Sequence, residues 1–168
     1  MEKILDILEK ISNSLSSILF DIAKFAMVVW PIIMVAYIVL RYFGINWLFV
    51  EEYTGYWQIL IVYFSLTYTL KLNKHIFIDA LINKLTEKAR STIQLITSFL
   101  TFFVTLYLLG KSIEFVRFGL MSQAKSFTTN SILWPIYLLI PIGLISINIE
   151  LFIQLYKKMN NYFFKKSL

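Results

Sequence analysis

The sequence predicts an all-α membrane protein with four transmembrane helices, on three observations. These are an apolar composition, four uncharged runs, and a lopsided distribution of lysine and arginine. Apolar residues fill 58% of the 168 positions, mean hydropathy is +0.70, and 15% of residues are charged. A soluble fold of this length exposes a large share of its surface and could not hide that much apolar area, whereas lipid can cover it. The uncharged runs are 25–40, 53–70, 91–110 and 126–149. A hydrocarbon core of roughly 30 Å needs about 20 helical residues, so the first two runs must draw on their flanks. None shows the period-2 alternation of barrel strands, which leaves helices as the spanning form. The expected layout is one membrane domain, 1–168, with spans near 23–42, 53–72, 90–112 and 131–155.

Two amphipathic surface helices complete that layout. In residues 1–22, Ile4, Ile7, Leu8, Ile11, Leu15, Ile18 and Ile22 share one face at 100° per residue. Glu2, Asp6, Glu9, Lys10, Asn13 and Asp21 fall on the other. Such a helix suits the inner membrane surface, as an anchor or as a contact for a partner helix. Its charges run throughout and no small-residue cleavage site follows, so it does not read as a cleaved signal peptide. The second surface helix is expected at 76–86, where Phe77, Ile78, Leu81, Ile82 and Leu85 oppose Asp79, Asn83 and Lys84. Thr86 and Glu87 could instead cap the start of span three.

Orientation follows from the basic residues. Lys3, Lys10 and Lys24 precede span one; Lys71, Lys74, Lys84, Lys88 and Arg90 lie between spans two and three; Lys157, Lys158, Lys165 and Lys166 follow span four. Only Arg41, Lys111, Arg117 and Lys125 fall on the opposite side. The positive-inside rule therefore places both termini in the cytoplasm. Trp47, Trp57 and Trp134 fall near the outer boundary, where an interfacial aromatic belt is expected.

Absences narrow the chemistry. With no cysteine there is no disulfide, iron–sulfur cluster, thiolate zinc site or nucleophilic thiol. A single histidine, His75, cannot build a bis-histidine haem or a histidine-rich di-iron site. The five glycines are scattered, so no phosphate-cradling loop is present. The net charge of +6 fits cytoplasmic flanks and is no nucleic-acid signal, because no soluble basic stripe with stacking aromatics exists. No nucleophile–base pair is visible, so no enzyme, cofactor or metal is expected.

Ionisable residues within spans are functional hypotheses by default, and here they are few. Lys111, Glu114 and Arg117 follow span three at a spacing that suits an interfacial ion cluster more than an ion pathway. Asp21 and Lys24 sit at the inner end of span one, and Glu150 near the inner end of span four, so no carboxylate is expected at mid-depth. Pro31 and Pro141 are expected to kink their spans. Glu51 and Glu52 stand at the outer entrance to span two, where carboxylates favour a helix N-terminus. His75 and Asp79 lie four residues apart at its inner end, within reach of one hydrogen bond if helical. On spacing alone these read as a solvated cap and a loop–helix tether.

The stretch 41–82 resembles the small membrane subunit, DctQ-like, of tripartite ATP-independent periplasmic (TRAP) transporters. The residues that carry the resemblance are Arg41-Tyr42, Glu51-Glu52, Tyr68-Thr69-Leu70-Lys71 and His75-Ile76-Phe77-Ile78-Asp79. Farther on, Trp134-Pro135-Ile136-Tyr137-Leu138 and Pro141-Ile142-Gly143 match the last span, extending the likeness over roughly residues 20–156. Ser65 stands where many members have glycine. The resemblance implies a sodium-coupled system in which a periplasmic binding protein delivers an organic anion to a larger multi-span subunit that transports it. The small subunit would scaffold that partner in the bacterial inner membrane and help dock the binding protein. It implies partner-contact or structural roles for Arg41, Tyr42, Glu51, Glu52, His75, Asp79 and Pro141, with Glu51, Glu52 and a 111–131 loop bordering the docking face. The alternatives are an autonomous four-span transporter or channel acting as a homo-oligomer, and an anchor subunit of a redox complex. The first needs an essential carboxylate at depth, and the second a haem ligand set that this chain lacks.

Overall fold

The computed structural model describes residues 2–72 and 87–164. Among them five helices account for nearly everything: α1 (Glu2–Tyr42), α2 (Leu48–Lys71), α3 (Glu87–Met121), α4 (Trp134–Tyr137) and α5 (Leu139–Phe164). There is no strand among the described residues, only an isolated bridge between Lys125 and Ile132. The expected surface helix at 76–86, with His75 and Asp79, lies outside the described residues.

Three stretches are long and apolar enough to cross a membrane: Leu5–Tyr42, Ala89–Met121 and Trp134–Asn160. They correspond to the first, third and fourth expected spans. The described residues are thus all-helical, and their three apolar stretches make a multi-pass membrane protein. Helix α2 has 24 residues, but its tyrosines, threonines, Gln58 and Ser65 lower its hydropathy below that of the other three.

The N-terminal segment and span one form a single helix of 41 residues, which continues through Pro31. It ends where Gly44 takes a φ of 82°. The Gly44 amide donates to the Arg41 carbonyl (3.0 Å) and the Ile45 amide to that of Leu40 (3.1 Å), a Schellman closure. At Pro141 the outcome differs. The helix is interrupted at Leu138, between α4 and α5. The proline ring has no N–H for the Tyr137 carbonyl and crowds that group, which accounts for the break one turn earlier.

The third helix corrects the expected loop. Residues 111–121 continue α3, which runs for 35 residues. Charges at Lys111, Glu114 and Arg117 suggested a loop, but the same turns bury Ser112 and Val116. Gly119 there lies under the Tyr137 ring, so close that an added Cβ would come within 2.7 Å of it. The helix closes with a second Schellman pattern, Gln123 donating to Leu120 and Ala124 to Gly119, with Gln123 at a φ of 48°.

Helix α5 is the hub, packing against α1, α2 and α3. Leu19 and Ala23 of α1 meet Phe64 of α2 in one apolar cluster. Leu144, Ile147 and Leu151 of α5 meet Leu70, Phe102 and Leu109 in another. Trp30, Tyr37 and Val50 form a further α1–α2 cluster towards the α1–α2 turn, with Trp30 stacked on Trp57 at 5.2 Å. The α2–α5 crossing is tightest at Gly143, where a Cβ would come within 2.7 Å of the Tyr63 carbonyl oxygen. A small residue is needed at that close backbone approach. On the outside, α1 exposes Ile32, Val35 and Ile38, and α3 exposes Phe99, Leu100 and Phe103. Such extensive apolar exposure suits contact with lipid or with another membrane protein.

Candidate functional site

Polar side chains gather at the two ends of the bundle. At the end where α1 turns into α2, the outer end of the expected layout, the start of α2 presents Glu51 and Glu52 to different neighbours. Glu51 reaches back to α1, where the Tyr37 hydroxyl donates to it at 2.8 Å and Arg41 Nη1 at 3.1 Å. That ion pair is exposed, with more than half of each side chain open. Tyr42 is 88% exposed and meets the Phe43 ring in a T-shaped contact, outside the cluster.

Glu52 faces the loop that follows α3. It accepts from Tyr56 (2.7 Å), Ser126 Oγ (2.8 Å), the Thr128 amide (3.1 Å) and the Thr128 hydroxyl. These donors hold its carboxyl well below the usual range, at about 2, with the Thr128 hydroxyl contributing most and partial burial opposing. Next to it, Tyr53 shares hydrogen bonds with Ser131 (2.9 Å) and Thr129 (3.4 Å). The loop can present these hydroxyls because it closes on itself. The Ser126 amide donates to Ser131 (2.8 Å), Leu133 to Ala124 (3.0 Å), and Asn130 turns the chain at a φ of 54°. Lys111 and Glu114 pair at 2.8 Å in the second half of α3, as their spacing suggested.

The opposite end, the inner one in the expected layout, holds a buried ion pair. Lys71, the last residue of α2, lies 3.6 Å from Glu150 of α5, and these side chains are 16% and 10% exposed. Lys71 also donates to Asn13 Oδ1 (2.9 Å) and Ser16 Oγ (2.7 Å). Glu150 accepts from Ser12 Oγ (2.8 Å) and Gln154 Nε2 (3.0 Å). A second ion pair, Lys157–Glu9 at 2.7 Å, ties α5 to α1 beside it. Helix α1 therefore turns its Ser12–Asn13–Ser16 edge into the bundle while Ile7, Ile11 and Ile18 remain exposed.

Of the residues singled out in the sequence, the structure brings Arg41 and Glu51 together and sets Glu52 one residue on, facing the other way. Pro141 stands at the helix break, and His75 and Asp79 lie outside the described residues. Sequence reasoning missed Ser126, Thr128, Ser12, Asn13, Ser16 and the Lys71–Glu150 pair. The one available signal was the i,i+4 spacing of Ser12 and Ser16 at the border of the apolar face. Among the described residues, no three His, Cys, Asp or Glu side chains converge to hold a metal. Each carboxylate in the two clusters is already engaged by donors from neighbouring elements, so the arrangement fastens helices together.

No curated protein and no solved structure matches the chain. A family model does: tripartite ATP-independent periplasmic transporters, DctQ component, matches residues 31–161. That stretch is most of the 168 residues and holds both carboxylates of the outer cluster and both members of the inner pair. The resemblance read from 41–82 is borne out: the chain belongs to the DctQ component family of tripartite ATP-independent periplasmic transporters.

Proposed function

We propose that this chain is the small membrane subunit of a sodium-coupled TRAP transporter for an organic anion. It scaffolds the large multi-span transport subunit and helps dock the periplasmic solute-binding protein. The observation that carries this reading is the internal engagement of Glu52 and Glu150. A carrier needs a carboxylate that exchanges protein partners for an ion, whereas these two are held by hydroxyls, an amide and a lysine of their own chain. Membership of a family of transporter components, rather than of enzymes, supports it too.

In this reading the chain lies in the bacterial cytoplasmic membrane, with both termini inside and α2 as a further span. At 1.5 Å per residue, the 24 residues of α2 reach about 36 Å, enough for a core of roughly 30 Å. Three of its four serine and threonine hydroxyls bond its own backbone, Thr54 to Val50, Ser65 to Val62 and Thr69 to Ser65, while that of Thr67 is buried without a partner among the described residues. The three bonds lower the cost of carrying those hydroxyls through lipid. Arg41, Tyr42, Glu51, Glu52 and the 122–133 loop border the docking face. His75 and Asp79 fix the segment before α3, and Pro141 shapes the last span.

The test is sodium-driven uptake in proteoliposomes containing the large subunit and binding protein, with this chain added or omitted. Uptake that requires the chain is the expected result. Full-rate uptake without it would overturn the scaffold role, and uptake by the chain alone would point to an autonomous transporter.

A further inference from the structure

We propose that the groove between the first half of α3 and the last turns of α5 holds an acyl chain of an anionic phospholipid, whose phosphate pairs with Lys158. The groove has a volume of about 420 Å³ and is lined by Leu95, Ile96, Phe99, Leu100, Leu155 and Met159. That is within the roughly 300–1,000 Å³ of small-ligand sites, yet no polar side chain lines it to orient a water-soluble ligand. Ile96 and Leu100 are 61% and 64% exposed.

The charge next to its lining residues in the chain selects the occupant. Lys158 follows Leu155 by three residues on α5, and its Nζ donates to Ser98 Oγ (2.6 Å) beside Phe99. Ser98 in turn donates to the Gln94 carbonyl (2.8 Å). The neighbouring lysines have carboxylates, Lys157 pairing with Glu9 and Lys71 with Glu150. Among the described residues no carboxylate pairs with Lys158. A partly buried ammonium with no carboxylate partner among the described residues, beside residues that line an apolar slot at the lysine-rich end of a membrane protein, matches a lipid with a negative headgroup. The inference rests on the membrane placement alone and is independent of the transport role.

Native mass spectrometry of the purified full chain with phosphatidylglycerol and phosphatidylcholine tests it. Wild type should prefer phosphatidylglycerol about fivefold, the equivalent of about 1 kcal/mol from one lysine at an anionic headgroup. Lys158→Gln should abolish the preference while Lys158→Arg retains it, and Ile96→Trp, which fills the slot from an exposed position, should remove retained lipid of both kinds. Equal retention of the two lipids by wild type would overturn the proposal, as would an unchanged lipid profile in Ile96→Trp. A wild-type dimer that Ile96→Trp converts to monomer, with no change in lipid, would assign the groove to a second copy instead.

Discussion

The two polar ends of the bundle use carboxylates differently. At the outer end, no basic side chain among the described residues pairs with Glu52; hydroxyls, one amide and the N-terminus of α2 share its charge near the surface. At the inner end, Glu150 is matched by Lys71 and both are withdrawn from solvent. Neutral donors near water can be exchanged for water at modest cost, whereas a buried charge cannot lose its counter-charge cheaply. The outer end is thus a fastening that can be remodelled, and the inner end is one that must stay closed.

The sharpest way to break the contrast is Glu150→Ala. It leaves Lys71 partly buried without its carboxylate and should cost about 3 kcal/mol, the lower end for breaking a buried pair. Thermal unfolding of the detergent-solubilised chain reads the loss. The double replacement Lys71→Met with Glu150→Leu should recover most of it, because two apolar side chains need no counter-charge.

Glu52→Gln comes next and should act locally. Its signature is pH dependence. The folded carboxyl titrates at about 2 against an ordinary 4.5, so its fastening is complete above about 4.5 and disappears as pH falls toward 2. Protection of the 122–133 loop from amide exchange should therefore fall over that window in the wild type and stay flat in the variant. Equal pH dependence in both would assign the acid response to another group.

The smallest effect belongs to Arg41→Ala. Its pair with Glu51 is more than half exposed, so stability should change by between about 0 and 1 kcal/mol and shift little with salt once the arginine is gone. A loss as large as that of Glu150→Ala would erase the contrast between the ends.

What could be read in the sequence was what is local or compositional. Uncharged runs marked three helices that meet the length and apolarity of a span, and Lys111–Glu114 followed from helical spacing. The motif Arg41-Tyr42 and Glu51-Glu52 led to the family. What could not be read is what joins distant positions. Ser126 meets Glu52 across 74 residues and Ser12 meets Glu150 across 138, and no periodicity couples such pairs. Charge misled at 111–121, where Lys111, Glu114 and Arg117 look out from a helix whose opposite face packs under Tyr137. Thr54, Ser65 and Thr69 of α2 return their hydroxyl protons to carbonyls of the same helix, which composition does not count.

The length of α3 has a consequence for how the molecule stands in the bilayer. Its 35 residues measure about 52 Å, and membrane helices tilt by at most about 40°. Even at that limit it rises about 40 Å along the membrane normal, some 10 Å more than the hydrocarbon thickness. At least about two turns of α3 therefore stand clear of the acyl chains at any allowed tilt, a rigid post in the headgroup layer.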